Sequence, residues 1–514
     1  MSINRTDRMS GVLAAAMGMV MCLMLATTVS AQVDNTWLGG TGYWTNGANW
    51  STGVKPGSSA STNFFIDGGN SLVSTVKVVG LVSYNATLGS LTISSGDVLQ
   101  LMNAAAGSLR PTAMTNEGLI QVISGSGFYF QTPTLRNSGI MEAVGGELFY
   151  SPSSSGTINN TGGVIRATSG SLLVNKTGTK IVGGNLYIAS TATNNIIPAA
   201  NAACDLVLDG GVIATNAGYT VIKTTTLPGV AQNRNMFLTV TNGAKYVNTG
   251  TLDVLQDLDQ AMNGNVNMRL RVEAGGELKN TGTINISQVQ TNTGGAWALP
   301  AYLQMNVEGF QNDGTITINS LMNSTGTAQF RAVYDITNAG NIVVQGPMSS
   351  ILMTDQTLIQ TTGTLTVKDG GSIVVSNLTI NGGTLTGDGS VTGAVVVSAG
   401  AILAPGTNSV GTLSITGGVT FAANAVYNWE YGNATGDLVS VAGNLTLPAS
   451  ATVNVTGSGI FPATATLFTA TTLDGAPTLN WTVTGVNGYS AKIQDNSVVL
   501  FRSLTSSGLV ITIE

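Results

Sequence analysis

The densest run of ionisable side chains in the chain is MRLRVEAGGELKN, which begins at Met268. Carboxylates and cations this close together are the groups that a polysaccharide lyase or a glycosidase would use for proton transfer. The alternation of the run places them largely on one face, which is also typical of a solvated, salt-bridged surface. The simpler surface interpretation is preferred. The groups are Arg269, Arg271, Glu273, Glu277 and Lys279.

The sequence contains no histidine. This excludes the Ser-His-Asp and Cys-His arrangements, the commonest general base and every histidine-based metal site. A carbohydrate-active enzyme could still work with carboxylates, Lys, Arg or Tyr. We nevertheless predict no catalytic activity and assign no catalytic residue.

Two acidic segments could be considered for calcium. Asp253, Asp257 and Asp259 lie together in LDVLQDLDQ, and Asp388 lies in the turn GDGS. Neither segment repeats as calcium-binding nonapeptides do, and neither matches an EF-hand loop. Both segments are therefore interpreted as structural turns, and no metal or other cofactor is predicted.

The overall composition favours strands and turns. Charged residues make up only 9% of the chain, 66 of its 514 residues are glycine, and the net charge is −6. An acidic chain lacks the electrostatic basis for nucleic-acid binding. Beyond the N-terminus no long amphipathic helix is found, and abundant apolar residues in short alternating runs argue against disorder.

Internal repeats give the clearest indication of fold. The matching segments LTVTNGAKYV and LRVEAGGELK begin at Leu238 and Leu270, an offset of 32 residues. A turn of the form Asn-x-Gly follows each, with Asn248, Asn280 and Asn312 again 32 apart. The same turn precedes a strand in TNEGLIQV, RNSGIMEA, NNTGGVIRA and TNAGNIVV, which start at Thr115, Arg136, Asn159 and Thr337.

Repeats of this size with little helix predict the coils of a right-handed parallel β-helix. Asparagine and glycine suit its corners because both tolerate positive φ, and stacked asparagines can hydrogen-bond between coils. The alternatives are an array of β-sandwiches or a propeller, but the uneven spacing of the turns argues against regular blades. Four isoleucines are expected to point into the core: Ile284, Ile286, Ile316 and Ile318.

The segment TWLGGTGYWTNGANW carries Trp37, Trp44 and Trp50. A β-helix must cover the open core and unpaired strand edge at its ends, so these rings could form an N-terminal aromatic cap. They could instead stack on a sugar. The cap is the preferred interpretation because tryptophans this close together usually pack on one another.

This segment resembles the N-terminal motif of bacterial secreted proteins with autotransporter-associated β-strand repeats. GGTLTGDGSVTGAVVVSAGAILAPGTNSVGTLSITGGVTF, from Gly382 to Phe421, is similar to the last coils of autotransporter passengers. There the pattern Leu-x-Pro-Gly and then Gly-x-Leu precedes closing strands such as those from Asp437. The resemblance implies a passenger-like β-helix and says little about activity, since such passengers serve as adhesins, matrix proteins and scaffolds.

The N-terminus has the features of a signal peptide. Arg5 and Arg8 precede an apolar stretch from Gly11 to Val29, and Val29-Ser30-Ala31 offers a cleavage site before Gln32. The predicted regions are a signal peptide at 1–31, an N-terminal cap with first rungs at 32–100, β-helix repeats at 101–447 and a C-terminal β region at 448–514. The mature chain is expected to be secreted or held at the outer surface of a bacterium, without a transmembrane segment, and its only cysteine is Cys204.

Two hypotheses follow. In the first, the protein is a structural or adhesin-like rod that binds an extracellular polysaccharide, a cell-surface protein or another copy of itself. In the second, it is a carbohydrate-active β-helix enzyme. The distribution of charge separates them, since scattered charges favour the first and a tight cluster in a groove favours the second. The stretch after Pro448 is too short for a translocator barrel, so surface retention would need a partner or self-association.

Overall fold

In the computed structural model the chain forms one continuous all-β solenoid. The one helical segment among the described residues is a short 3-10 turn, Gly47–Asn49. The structure describes residues 32–57, 59–67, 73–79, 85–102, 107–123, 127–130, 132, 134–150, 156–175, 177–198, 203–223, 234–258, 266–290, 301–320, 326–407, 409–462, 465–475 and 478–502. The predicted signal peptide at 1–31 lies outside these residues.

The strands are short and follow one another closely along the chain. The first are β1 (Val33–Thr36), β2 (Thr41–Tyr43), β3 (Ser59–Ile66), β4 (Thr75–Val79), β5 (Asn85–Ile93), β6 (Val98–Met102), β7 (Gly107–Asn116), β8 (Leu119–Ile123), β9 (Gly127–Phe130), β10 (Thr134–Asn137), β11 (Ile140–Tyr150), β12 (Thr157–Asn159), β13 (Val164–Val174), β14 (Thr179–Val182), β15 (Asn185–Ile188) and β16 (Ala192–Ile196). The middle strands are β17 (Cys204–Asp209), β18 (Ile213–Asn216), β19 (Tyr219–Lys223), β20 (Arg234–Val240), β21 (Lys245–Asn248), β22 (Thr251–Leu258), β23 (Val266–Val272), β24 (Glu277–Asn280), β25 (Thr283–Gln290), β26 (Ala301–Met305), β27 (Phe310–Asn312), β28 (Thr315–Ser320), β29 (Ala328–Ala332), β30 (Ile336–Asn338) and β31 (Asn341–Gln345). The last are β32 (Ser349–Gln360), β33 (Thr364–Lys368), β34 (Ser372–Ile380), β35 (Thr384–Gly387), β36 (Ser390–Val397), β37 (Ile402–Pro405), β38 (Thr412–Ile415), β39 (Val419–Phe421), β40 (Val426–Gly432), β41 (Thr435–Gly436), β42 (Leu438–Leu447), β43 (Thr452–Ser458), β44 (Ala465–Gly475), β45 (Thr482–Thr484), β46 (Tyr489–Gln494) and β47 (Ser497–Arg502).

Parallel pairing between successive coils sorts these strands onto three faces, and the longer strands bend across a corner to serve two. This arrangement confirms the predicted parallel β-helix. Face 1 includes β14, β17, β20, β23, β26, β29 and the first half of β32. Face 2 includes β15, β18, β21, β24, β27 and β30, and face 3 includes β19, β22, β25, β28, β31, β33, β35, β37, β40 and β43.

Alternation along each strand builds the core. Successive side chains point to opposite sides of a strand, so every second residue faces inward and stacks on its equivalent one coil away. Ile284 lies in register with Ile316, and Ile286 with Ile318. All four are fully buried, as predicted.

Buried asparagines form two ladders along the inside of the corners, which confirms that they hydrogen-bond between coils. In the first, the Nδ2 of Asn116 donates to Asn137 and that of Asn137 donates to Asn160, both at 2.6 Å. The second ladder has 2.7 Å between neighbours and is continued by a glutamine; it consists of Asn216, Asn248, Asn280, Asn312, Asn338 and Gln360. Within each ladder every amide oxygen after the first accepts from the coil before it, which offsets the cost of burial. The first oxygens, those of Asn116 and Asn216, have no hydrogen-bond partner among the described residues.

In most of the Asn-x-Gly turns the glycine does not adopt the predicted positive φ, although Gly162 does, at φ 79°. The residues with positive φ include Asn242 and Gly243 of the intervening turn, whereas Gly282 and Gly314 are not among them. A Cβ on Gly282 would lie 2.1 Å from the carbonyl oxygen of Gly250, one coil earlier. The turn therefore needs glycine because successive coils approach too closely for a side chain.

The weakly repetitive region from 181 to 230 keeps the same coil order. Strands β14 to β19 pair in register with the coils on both sides. The repeat is faint here in the sequence, which allows an irregular rung or a protruding loop. Residues 181–198 and 203–223 form neither, and residues 199–202 and 224–230 lie outside the described part. At the C-terminal end, β47 pairs antiparallel with β44 and β46, which closes the solenoid with a small β region.

Candidate functional site

The three N-terminal tryptophans form a compact cluster over the first coil. Trp37, Trp44 and Trp50 are 0–1% exposed. The ring of Trp50 makes edge-on contacts with the other two, each with 5.2 Å between centroids. Phe64 of the strand beneath them also packs on Trp50, at 5.7 Å. The fold thus has the aromatic N-terminal cap that the sequence predicts.

The segment carrying Trp50 also covers the first strand edge. The N–H of Leu38 donates to the carbonyl of Asn49 at 2.8 Å, and that of Ser51 donates to Thr36 at 2.7 Å. These bonds satisfy backbone groups of β1 and its extension, which a second chain could otherwise pair with. Because the tryptophan rings are enclosed, none has a free face on which a sugar could stack.

The charged run at 268–280 is divided by a corner of the solenoid. Arg269 and Arg271 point outward from β23 on face 1, whereas Glu277 and Lys279 belong to β24 on face 2. The prediction that these groups share one face is therefore wrong, because a turn separates the two strands. Glu277 forms an ion pair with Lys245 at 2.9 Å, so its carboxylate is satisfied across coils.

Among the described residues, the acidic segments considered for calcium contain no cation cage. Asp253 accepts hydrogen bonds from the Tyr219 hydroxyl at 2.6 Å and from Asn285 at 2.8 Å. Asp388 accepts from the backbone N–H of Asp369 at 3.1 Å. The Asp257 side chain and Asp259 lie outside the described part. Within that part no three acidic or cysteine side chains are grouped as metal ligands would be.

Cys204 is buried as predicted, and its Sγ donates to the Val174 carbonyl at 2.8 Å. Burial raises the pKa of this thiol well above its usual range, with a smaller contribution from the neighbouring Asp205. A thiol held in the neutral form is a poor nucleophile. Cys204 is therefore a core residue.

A groove of about 430 Å³ runs along face 3 near the C-terminal end of the solenoid. It crosses the coils of β31, β33, β35, β37, β40 and β43. Four threonines, one asparagine and three charged residues form its polar lining, so its surface suits a polar ligand with many hydroxyl groups. The lining includes Thr366, Lys368, Thr386, Thr407, Asn428, Glu430, Asp437 and Thr456.

The hairpin of β40 and β41 borders this groove and fixes its shape. The ring of Trp429 is fully buried, and its Nε1 donates to the Asp437 carbonyl at 2.7 Å. Gly436 lies against that ring: an added Cβ would be 2.1 Å from Cζ2. Antiparallel pairing of Tyr431 with Gly436 completes the hairpin.

Asp437 links the hairpin to the neighbouring coil. Its Oδ1 accepts from the N–H of Gly411 at 2.8 Å, and its Oδ2 accepts from the N–H of Glu430 at 2.9 Å. The residue is 1% exposed. Burial raises the pKa of the Asp437 carboxyl to about 7, although both N–H donors oppose the shift.

Sequence reasoning noted the motifs around this groove but not the groove itself. The resemblance places Gly406 and Gly411, of the Leu-x-Pro-Gly and Gly-x-Leu patterns, before the closing strands, which start at Asp437. The structure brings Gly411 and Asp437 into hydrogen-bond contact. The sequence feature that could have indicated this contact is Asp437, an acidic residue that lies between Gly436 and an apolar strand.

Comparison with models of known protein families and with curated proteins found no match to this chain. In the described part, no helix is long and apolar enough to cross a membrane.

Proposed function

We propose that this protein is a secreted or surface-exposed, adhesin-like β-helix rod that binds an extracellular polysaccharide in the groove of face 3 without cleaving it. The polar groove is the observation that carries the proposal. It extends across several coils and presents Thr366, Asn428 and Thr456 to a ligand. A polymer lying along the rod axis would meet such groups at each coil, about 4.8 Å apart.

The proposal of binding without turnover rests on the way that Asp437 is held. Both of its carboxylate oxygens accept backbone hydrogen bonds, and the side chain is 1% exposed. A general acid must instead reach the glycosidic oxygen of its substrate. The contacts of Asp437 suit a residue that fixes the hairpin.

Secretion and the family assignment are part of the same proposal. The signal-peptide features at Arg5, Arg8 and Val29-Ser30-Ala31 support export. The resemblance to bacterial proteins with autotransporter-associated β-strand repeats supports a surface role. The aromatic cap over β1 and the closing strands β46 and β47 are typical of a rod that must stay separate outside the cell.

A second candidate function, a carbohydrate-active enzyme, is favoured by one observation. Glu430 and Asp437 line the same groove as Lys368, so two carboxylates and a cation converge where a polymer would lie. A carboxyl with a raised pKa beside a second carboxylate is the usual pairing of acid and base in glycosidases.

One experiment separates the two functions. The purified chain 32–514 would be screened against neutral and acidic polysaccharides, with binding and the release of reducing or unsaturated ends recorded together. The proposal predicts saturable binding without product. Thr366→Tyr should raise the Kd at least about tenfold by filling the groove. Thr317→Tyr is the matched control, since it adds the same ring on face 3 at β28, outside the groove lining.

Two results would contradict the proposal. Product release that Glu430→Gln abolishes would establish the enzyme instead. Equal binding of a neutral polysaccharide by the chain and by Thr366→Tyr would show that the groove is not the site.

A further inference from the structure

Face 1 carries a row of arginine and aromatic side chains that the proposed function does not use. In-register pairing stacks Phe237 on Arg269 and Arg269 on Tyr302, along one outward column. The neighbouring column contains Arg271 on β23 and Arg331 on β29. These five residues, which we call the arginine strip, come from four successive coils: β20, β23, β26 and β29.

The guanidinium groups and rings of the arginine strip alternate in an unbroken series. The Arg271 Cζ lies 4.2 Å from the Phe237 centroid, and the Arg269 Cζ lies 5.7 Å from the same ring. On the other side, Arg269 is 5.1 Å and Arg331 is 4.4 Å from the Tyr302 centroid. Such cation–π contacts hold the three cations in place before any ligand arrives.

Neighbouring side chains orient the cations without neutralising most of them. Arg269 donates to the Gln304 side-chain oxygen at 2.9 Å, and Arg331 donates to that of Gln329 at 2.8 Å. The one ion pair among these arginines in the described part is Arg271 with Glu273, at 3.2 Å. Two of the three positive charges are therefore held by neutral amides.

Two buried nitrogen atoms of the arginine strip lack a hydrogen-bond partner among the described residues, which is energetically unfavourable. They are the Nε atoms of Arg269 and Arg271. Burial, together with the positive charges of Arg271 and Arg331, lowers the pKa of Arg269. An arginine stays protonated in proteins, so the crowded cations would be stabilised by an anion.

We infer that the arginine strip is a second binding site, specific for an acidic polysaccharide whose carboxylate or sulfate groups contact Arg269, Arg271 and Arg331. Guanidinium groups match the planar, two-oxygen edge of such anions. Because the cations follow the rod axis over several coils, a chain with repeated charges fits better than a single small anion. Gln304 lies beside them and is partly exposed, so its amide can bond sugar hydroxyls.

The same geometry disfavours nucleic acid. Proteins that bind single strands stack bases on open aromatic faces. Here the guanidinium groups lie over the rings of Phe237 and Tyr302, and Tyr302 is 7% exposed.

The test compares matched ligands on the purified chain 32–514. Polygalacturonate and its fully methyl-esterified form differ in charge, as do dextran sulfate and dextran. We expect both charged polymers to bind, the neutral ones to bind at least about tenfold more weakly, and the Kd to rise with added NaCl. Arg269→Gln with Arg331→Gln should raise the Kd for the charged polymers at least about tenfold. Arg136→Gln is the control, because Arg136 is an exposed arginine on face 1 in β10.

A conservative variant and a competing ligand, single-stranded DNA, complete the test. Arg269→Lys keeps the charge but loses the planar fork, so it should weaken binding by a smaller factor than Arg269→Gln. Circular dichroism must show that each variant keeps its strand content. The inference is overturned if the Arg269→Gln/Arg331→Gln variant binds as the parent does, if charged and neutral polymers bind alike, or if single-stranded DNA binds more tightly than polygalacturonate. All of these comparisons are made in the Thr366→Tyr background, which blocks the groove and leaves face 1 unchanged, so binding at the groove does not enter them.

Discussion

Both ends of the solenoid are closed by aromatic clusters, but the two clusters leave different surfaces behind. At the N-terminus the rings of Trp37, Trp44 and Trp50 enclose one another over the first coil. At the C-terminal end Trp429 is equally buried, yet its hairpin borders an open polar groove. The comparison teaches that a concentration of aromatic residues identifies where the core is closed. A ligand surface depends on which polar groups remain outside that closure.

The largest effect is expected from opening the N-terminal cap. Trp44→Ala removes a ring that contacts Trp50 and Phe64 in a fully buried position. Large-to-small substitutions of this kind cost about 3–5 kcal/mol. We expect the free energy of unfolding, measured by chemical denaturation with circular dichroism, to fall by that amount. The variant should also aggregate at high protein concentration because β1 loses its cover.

The matched control is Trp44→Phe, which keeps a ring and should lose much less stability. If Trp44→Ala folded as stably as the parent but no longer bound polysaccharide, the cap would be a sugar site and the contrast between the two ends would fail.

A smaller loss of stability is expected when a methyl group is added against a buried tryptophan at either end, Trp429 or Trp37. Gly436→Ala drives a Cβ to 2.1 Å from the Trp429 ring, which is packed on all sides. Overpacking typically costs about 1–3 kcal/mol. Because the hairpin also shapes the groove, Gly436→Ala should weaken polysaccharide binding at the groove as well as lower the stability.

The counterpart at the other end is Gly42→Ala. Its Cβ would first meet the Asn49 side-chain nitrogen at 2.5 Å, which can move aside, and then the Trp37 ring at 3.0 Å. We expect a smaller loss of stability than in Gly436→Ala, and unchanged groove binding. Equal loss of groove binding in both variants would show that the hairpin does not control the groove.

The fold was predictable because stacking repeats local signals. Asn248, Asn280 and Asn312 recur at the coil length, and their amides bond as the spacing indicates. Ile284 and Ile316 likewise repeat the inward pattern. Short-range alternation and a constant offset are both visible in a sequence, so the core and its ladders follow from it.

The ligand surfaces were harder to predict because they depend on outward residues of different coils. Phe237 and Arg269 are 32 residues apart, and their stacking follows from the same offset that aligns Leu238 with Leu270. Applying that offset to outward residues would have found part of the arginine strip. The groove offers no such signal, since the hairpin from Tyr431 to Gly436 interrupts the repeat that surrounds it.

The smallest change in unfolding free energy, counted per pH unit, is expected from the ionisation of Asp437 at the C-terminal closure. The pKa of Asp437 is raised by burial from an ordinary value of 3.8 to about 7, so between these values the folded chain binds more protons than the unfolded chain. Stability due to this group is therefore complete below about pH 4 and is lost as the pH rises toward 7, by at most about 1.4 kcal/mol per unit.

Asp437→Asn cannot ionise and should lose this slope, although the variant should be less stable at low pH because its amide nitrogen cannot accept one of the two backbone hydrogen bonds. Unfolding free energies from pH 4 to 8 would be compared with those of Asp355→Asn, which removes one negative charge from an exposed position. If the parent and Asp437→Asn showed the same slope, the carboxyl would already be ionised in the folded chain, and the groove would carry a fixed negative charge at neutral pH.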